Sequence, residues 1–269
     1  MRAAQAVTDP LGVMAIIAAQ AAVGGAVLTW LLRLWGEARR GFFLLMGVTV
    51  TLVAWGAYAA ARAAFEPAEA VVAFLPGDPS LLLFVTAALS TLSVVLLVAR
   101  ADRAGRRAGV AAALVGVVAL VPLAAARQTA VGAGVAEVAL GAAFLGATLY
   151  GLVLGHWYLF ERALDNRHMI DAAKAYAVGC AAAAGSAALS ATNPAPPLGG
   201  FSPFLAIPGF SVYLAFGLVA VCALIAGFTW KLATEGGRSI QAATGLMYLA
   251  LIMAFSAELS SKVRFFAAV

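Results

Sequence analysis

Gln20, Glu137 and Glu258 each lie inside a long hydrophobic run, where an ionisable group at the centre of a membrane helix costs on the order of 3 kcal/mol. Side chains kept there at such a cost accept or relay protons, or hold the headgroup of a quinone. Glu258 falls on one helical face with Gln241, Thr244, Phe255 and Lys262, at spacings of three, four or whole turns. The competing reading pairs it with Lys262, an i,i+4 partner of opposite charge. Glu137 lies one turn inside its run, Arg62 ends another run on the same side, and Gln20 precedes Gly24 and Gly25 near mid-depth. Together Gln20, Arg62, Glu137 and Glu258 are expected to line an outward-side polar pocket. Read alone, Gln20 and its glycines fit one interhelical hydrogen bond and a close helix approach.

His156, in Gly155-His-Trp-Tyr158, is a secondary candidate for heme ligation, proton relay or quinone binding. Only His168 accompanies it, so the four axial ligands of a diheme subunit do not exist, and heme is not expected. Trp157 and Tyr158 suit an interfacial aromatic belt, to which His156 also fits. Cys180 and Cys222 fall inside apolar runs, without disulfide framework or metal-ligand spacing, and no metal is expected. Gly151-Leu-Val-Leu-Gly155 reads as helix packing. The uncharged segment from Asn193 to Pro203 reads as a proline-stiffened connector or a surface for a partner. No phosphate-binding loop, zinc-protease helix or Ser–His–Asp set is present.

These residues must be positioned by helices in lipid. The chain is 64% hydrophobic and 11% charged, against about 45–50% and about 25% in soluble domains. Eight stretches, near 11–33, 42–63, 81–99, 108–126, 133–160, 171–191, 209–231 and 240–262, reach the roughly 20 residues that cross a bilayer. Short links remain, and no soluble catalytic domain fits between them. Asp9-Pro10 opens the first span, Pro76-Gly-Asp-Pro-Ser80 breaks the chain before the third, and the prolines of 192–208 mark a loop.

Charge sets the orientation. The gaps after spans one, three, five and seven carry Arg33, Arg39, Arg40, Arg100, Arg103, Arg106, Arg107, Arg162, Arg167, Lys174, Lys231 and Arg238. The other side carries Arg2, Arg62, Arg127, Lys262 and Arg264. Twelve against five places the first set in the cytoplasm and both termini outside, as an even number of spans requires. The fold class expected is therefore an all-α, polytopic membrane bundle, with a bacterial cytoplasmic membrane as its setting. Charges that follow the first apolar run rather than precede it argue against a cleaved signal. The net charge of +5 is explained by topology and lipid headgroups, not by nucleic acid. Residues 1–269 read as one transmembrane domain, divisible into four-helix halves 1–130 and 131–269. Spans one–two and five–six share aromatics and charges at their inner turns, a pattern too thin to define an internal repeat.

Two segments resemble a known group. Gln20-Ala-Ala-Val-Gly-Gly25 is followed by a long helix and the link from Gly36 to Arg40, and Ala257-Glu258-Leu259 is followed by Arg264-Phe265-Phe266. Both are similar to the membrane anchor subunits of the dimethyl sulfoxide and polysulfide reductases, across about a fifth of the chain. The resemblance implies eight helices, outward termini and a heme-free, quinone-reactive subunit. Such a subunit passes electrons between menaquinone or ubiquinone and an iron–sulfur partner serving a molybdopterin catalytic subunit. Its carry-over rests on Gln20, Glu258 and Arg264. Where those anchors have a histidine near the outer end of span two, this chain has Arg62-Ala-Ala-Phe65.

The function expected is a quinone-interacting anchor subunit of a respiratory-type complex, with Glu258 as proton acceptor, Gln20 or Arg62 as hydrogen-bond donor and Glu137 as relay. The alternatives are a small-solute or ion transporter, from the same intramembrane polar residues, and a membrane scaffold without a site. No pair of spans broken at matching depth by Pro or Gly favours the transporter.

Overall fold

The computed structural model of the chain describes residues 10–31, 38–65, 78–125, 130–161, 163–193 and 209–265. It is an all-helical bundle of α1 (Pro10–Leu31), α2 (Arg40–Ala64), α3 (Pro79–Val98), α4 (Asp102–Ala125), α5 (Val131–Trp157), α6 (Arg167–Ala191), α7 (Phe210–Glu235) and α8 (Ser239–Lys262). All eight are long and apolar enough to cross a membrane. Leu52, Val98, Val178 and Leu224 are each about two-thirds exposed, an arrangement suited to lipid and not to water. The chain is an integral membrane protein. Arg2, Arg33, the Gly36–Glu37 link, Pro76, Arg127, Arg162, the 194–208 loop and Phe266 lie outside the described residues.

Local chemistry explains the helix ends. Asp78 caps α3, accepting from Ser80 N–H at 2.8 Å, with Pro79 in the first helical position. The inner α3–α4 turn closes with Ala101 N–H donating to Leu96 O at 2.8 Å, and Arg100 takes a left-handed φ of 62°. α4 starts at Asp102, six residues before its apolar run. Arg103, Arg106 and Arg107 extend it into the inner interface, and Asp102 favours the positive end of the helix dipole. Inside the spans, Thr29, Thr86, Thr148 and Thr244 donate to carbonyls one turn back, which satisfies their hydroxyls without water.

The helices close as two rings of four. α1 packs on α2, α2 on α3, α3 on α4, and α4 returns to α1; α5 to α8 repeat that order. α1 and α5 join the rings and are the most buried helices, whereas α3 and α7 occupy outer corners. The two central helices meet backbone to backbone. A Cβ on Gly24 would lie 1.9 Å from Ala142 O, and one on Gly146 would lie 2.3 Å from the Gly24 carbonyl carbon. At the inner end, Trp157 lies over Gly41, where a Cβ would meet its ring at 2.4 Å. The same indole donates to Glu161 Oε2 at 2.6 Å, and Arg39 pairs with Glu161 at 3.0 Å. Gly151 and Gly155 sit beneath Met247 and Thr244 of α8, a packing role in keeping with their spacing.

Candidate functional site

The costly residues on α5 and α8 converge. Glu258 and Lys262, one turn apart on α8, point at α5, where Glu137 occupies the second turn from the outer end. α6 supplies Ser186, and α1 brings Gln20 alongside. Gln20, Glu137, Ser186 and Lys262 are wholly buried, and Glu258 is 1% exposed.

Lys262 is the hub. Its Nζ donates to Glu137 Oε1 at 3.1 Å, Ser186 Oγ at 2.8 Å and Ser261 Oγ at 3.2 Å. These three acceptors take all three hydrogens of an ammonium group. Glu258 Oε2 lies 3.0 Å from the same nitrogen but makes no hydrogen bond. It is the fourth oxygen around the ammonium. The serines tie the group to the backbone: Ser186 donates to Glu137 O, Ser261 to Glu258 O, and Ser190 to Ser261 O. Just beyond α8, Arg264 donates twice to Asn193 O, and burial draws its guanidinium below the ordinary arginine value.

Gln20 Nε2 donates to Val138 O at 3.1 Å. That carbonyl fixes the orientation of the amide, because the flipped form would set two oxygens face to face. Gln20 Oε1 is then a buried acceptor without a partner. Gly141 makes room for the meeting: a Cβ there would lie 2.0 Å from Gln20 Nε2 and 2.6 Å from Glu258 Oε2. Gln20 Nε2 and Glu258 Oε2 therefore flank one point. Burying each ion costs several kcal/mol, so the two carboxyls and the Lys262 ammonium hold one another in place here.

The structure brings Gln20, Glu137 and Glu258 together, and separates Arg62 from them. Arg62 ends α2 with its side chain half exposed, 3.9 Å from Asp78, so the grouping expected from depth alone is corrected. Depth along an apolar helix carries no information about azimuth. The common face assigned to Glu258 also divides. Thr244 packs under Gly155, Gln241 reaches the inner surface, and Phe255 is 36% exposed. Sequence reasoning paired Lys262 with Glu258 but missed it as the hub, missed Ser186, and read Gly141 only as one of the small residues of its span. The available signal was Lys262 at i+4 from Glu258, together with a second intramembrane acid, Glu137, that has no Lys or Arg within a turn of it in the sequence.

His156 lies at the opposite, inner end, its Nδ1 3.2 Å from Tyr248 OH and its ring edge-on to Phe160. Nearby, a cleft of about 340 Å³ is lined by residues including Gly155, Tyr158, Asn166, Arg238 and Gln241. Burial raises the phenol of Tyr158 above its ordinary value, and its hydroxyl donates to Asp165 O at 2.5 Å. Among the described residues, no cluster of three or more His, Cys, Asp or Glu is placed to hold a metal. Compared with protein-family profiles, curated proteins and solved structures, the chain has no match.

Proposed function

We propose that this chain is the quinone-reactive membrane subunit of a multi-subunit redox complex in a bacterial cytoplasmic membrane, anchoring an iron–sulfur electron-transfer partner of a catalytic subunit. The observation that carries the reading is the buried Glu137–Lys262–Glu258 array with Gln20 at its edge. A quinol leaves two electrons to the partner and two protons to nearby bases. Glu258 is suited to accept such a proton, since its Oε2 is held by charge without a hydrogen bond. Gln20 has one amide hydrogen committed to Val138 O and another free to donate to a quinone oxygen. Glu137, linked to Glu258 through the Lys262 ammonium, relays charge toward Ser186 and Ser190 at the outer end. Arg62, paired with Asp78, takes no part. The two unsatisfied oxygens are acceptors suited to the hydroxyl groups of the reduced headgroup of menaquinone or ubiquinone. Purification in mild detergent should retain iron–sulfur partners and bind a quinone analogue; a chain that does neither removes the reading.

A second reading is a proton- or cation-coupled transporter of a small solute. It is favoured by how completely the array is sealed between α1, α5, α6 and α8, across the junction of the two rings. Solute counterflow in liposomes containing the pure chain would establish it.

A further inference from the structure

Arg264 stands just past the outer end of α8, where an arginine normally reaches out to water. A snorkelling side chain keeps its guanidinium in the aqueous layer, yet Arg264 is 8% exposed. One acceptor holds it inward. Nε donates to Asn193 O at 3.1 Å, and Nη2 donates to the same carbonyl. Of the N–H groups of a guanidinium, the Nη1 pair and the second Nη2 hydrogen have no acceptor among the described residues. Among those residues the outer-side carboxylates are engaged elsewhere: Asp78 faces Arg62, and Glu137 and Glu258 lie against Lys262. Burial draws the Arg264 guanidinium below the ordinary arginine value, and no neighbouring charge offsets that effect. The adjoining stretches of sequence, 194–208 and 266–269, contain no Asp or Glu.

A second donor lacks a partner at the same place. Asn193 is 3% exposed, and its Nδ2 is a buried amide group without an acceptor. It belongs to the residue whose carbonyl holds the guanidinium, so the two donor groups lie within one side chain's reach of each other. Ser190 on α6 donates to Ser261 O on α8, which pins the two helix ends that carry them. A buried amide without an acceptor and a buried cation without a counter-charge are each costly. One kind of ligand answers both. The terminal N–H groups of a guanidinium form a planar fork that matches two oxygens of an anion. A third oxygen is then needed for the Asn193 amide, which a phosphate has and a carboxylate lacks.

We propose that Arg264 and Asn193 form an anion site at the outer end of the α5–α8 ring, which takes a phosphate group, either free or carried by a lipid headgroup. The site goes beyond the redox reading and does not depend on it.

Thermal unfolding of the full chain, delipidated in a neutral maltoside detergent, tests this. The probes are inorganic phosphate, and phosphatidylglycerol added to the micelles. A ligand that binds only the folded chain raises the unfolding midpoint saturably, and the parent should show that rise with at least one probe. A rise with inorganic phosphate assigns the site to a free anion; a rise with the lipid alone assigns it to a headgroup. Arg264→Gln should abolish the rise. Arg264→Lys keeps the charge without the fork, and should weaken the apparent affinity at least about tenfold. Asn193→Asp decides the matter if Arg264→Gln does not fold. It sets a carboxylate of the chain beside the guanidinium, so the rise should vanish while the midpoint without any probe stays at or above the parent's. A purely structural role for the amide would lower that midpoint instead. Arg62→Gln should keep the rise. The site is overturned by a parent that responds to neither probe, or by a rise that sodium chloride of equal ionic strength reproduces. A rise that survives in Arg264→Gln or Asn193→Asp, a rise lost in Arg62→Gln, or an Asn193→Asp midpoint below the parent's overturns it as well.

Discussion

Replacing Lys262 with methionine tests whether the array is held by charge. Methionine keeps most of the stem volume, so the change removes one ammonium from contacts of 3.1 Å to Glu137 and 3.0 Å to Glu258 in a fully buried site. The two carboxyls then lose the cation that bridges them. Breaking a buried ion pair by removing one partner costs about 3–5 kcal/mol, a large part of a typical folding stability of roughly 5–15 kcal/mol. The assay is denaturant titration in mixed micelles, followed by loss of helical circular dichroism. The triple variant Glu137→Leu, Glu258→Leu, Lys262→Met should recover most of the loss, as the apolar outer end of the first ring implies. A single variant as stable as the parent would refute the ion-pairing argument. A triple variant as unstable as the single one would refute the comparison between rings.

Other outcomes follow from the same geometry. Gly24→Ala sets a Cβ 1.9 Å from Ala142 O and should destabilise the protein by about 1–3 kcal/mol, the usual cost of overpacking; an unchanged unfolding midpoint would contradict the backbone contact. Gly141→Ala displaces the Gln20 amide and Glu258 together, so quinone-analogue affinity should fall at least about tenfold, equivalent to about 1.4 kcal/mol; calorimetric titration of the purified complex measures it. Arg62→Gln removes an exposed 3.9 Å pair and should change stability by under about 1 kcal/mol, as measured by the same denaturant titration. Cysteines placed at Asp102 and Asp78 should react with impermeant maleimide from opposite sides of the membrane; labelling from one side would overturn the orientation.

Much of the architecture is legible in the residues because lipid imposes a simple rule. Every span needs an unbroken apolar run, and the arginines between runs declare the side. The start of α4 escaped that rule: Arg103, Arg106 and Arg107 end the apolar run, yet the helix continues with Gly105 against Leu97 and Gly109 against Trp30. The order in which helices pack was not legible either. In lipid both the buried and the exposed faces are apolar, so no hydrophobic contrast marks the neighbour of α1. The site was legible in kind, since Gln20, Glu137 and Glu258 declare themselves by their cost. Its hub was not, because Lys262 at the end of α8 reads equally as a cation reaching for the interface. Ser186 and Gly141 are ordinary in an alanine- and glycine-rich chain, and only the meeting of four helices gives them a role.

Where α1 crosses α5, Gly24 and Gly146 leave no side chain between the two backbones. Interlocked side chains normally act as teeth, and sliding one helix past another means lifting each tooth from its groove. This junction has none, so one ring can tilt against the other about that point without any rotamer changing there. At the inner rim the Trp157–Glu161–Arg39 strap spans both rings and resists such a tilt. On the outer side of the crossing, near mid-depth, the amide of Gln20 reaches across to α5. A pivot in the middle, a charged strap at one rim and a single amide contact on the other side leave the outer end of the junction the freer to part.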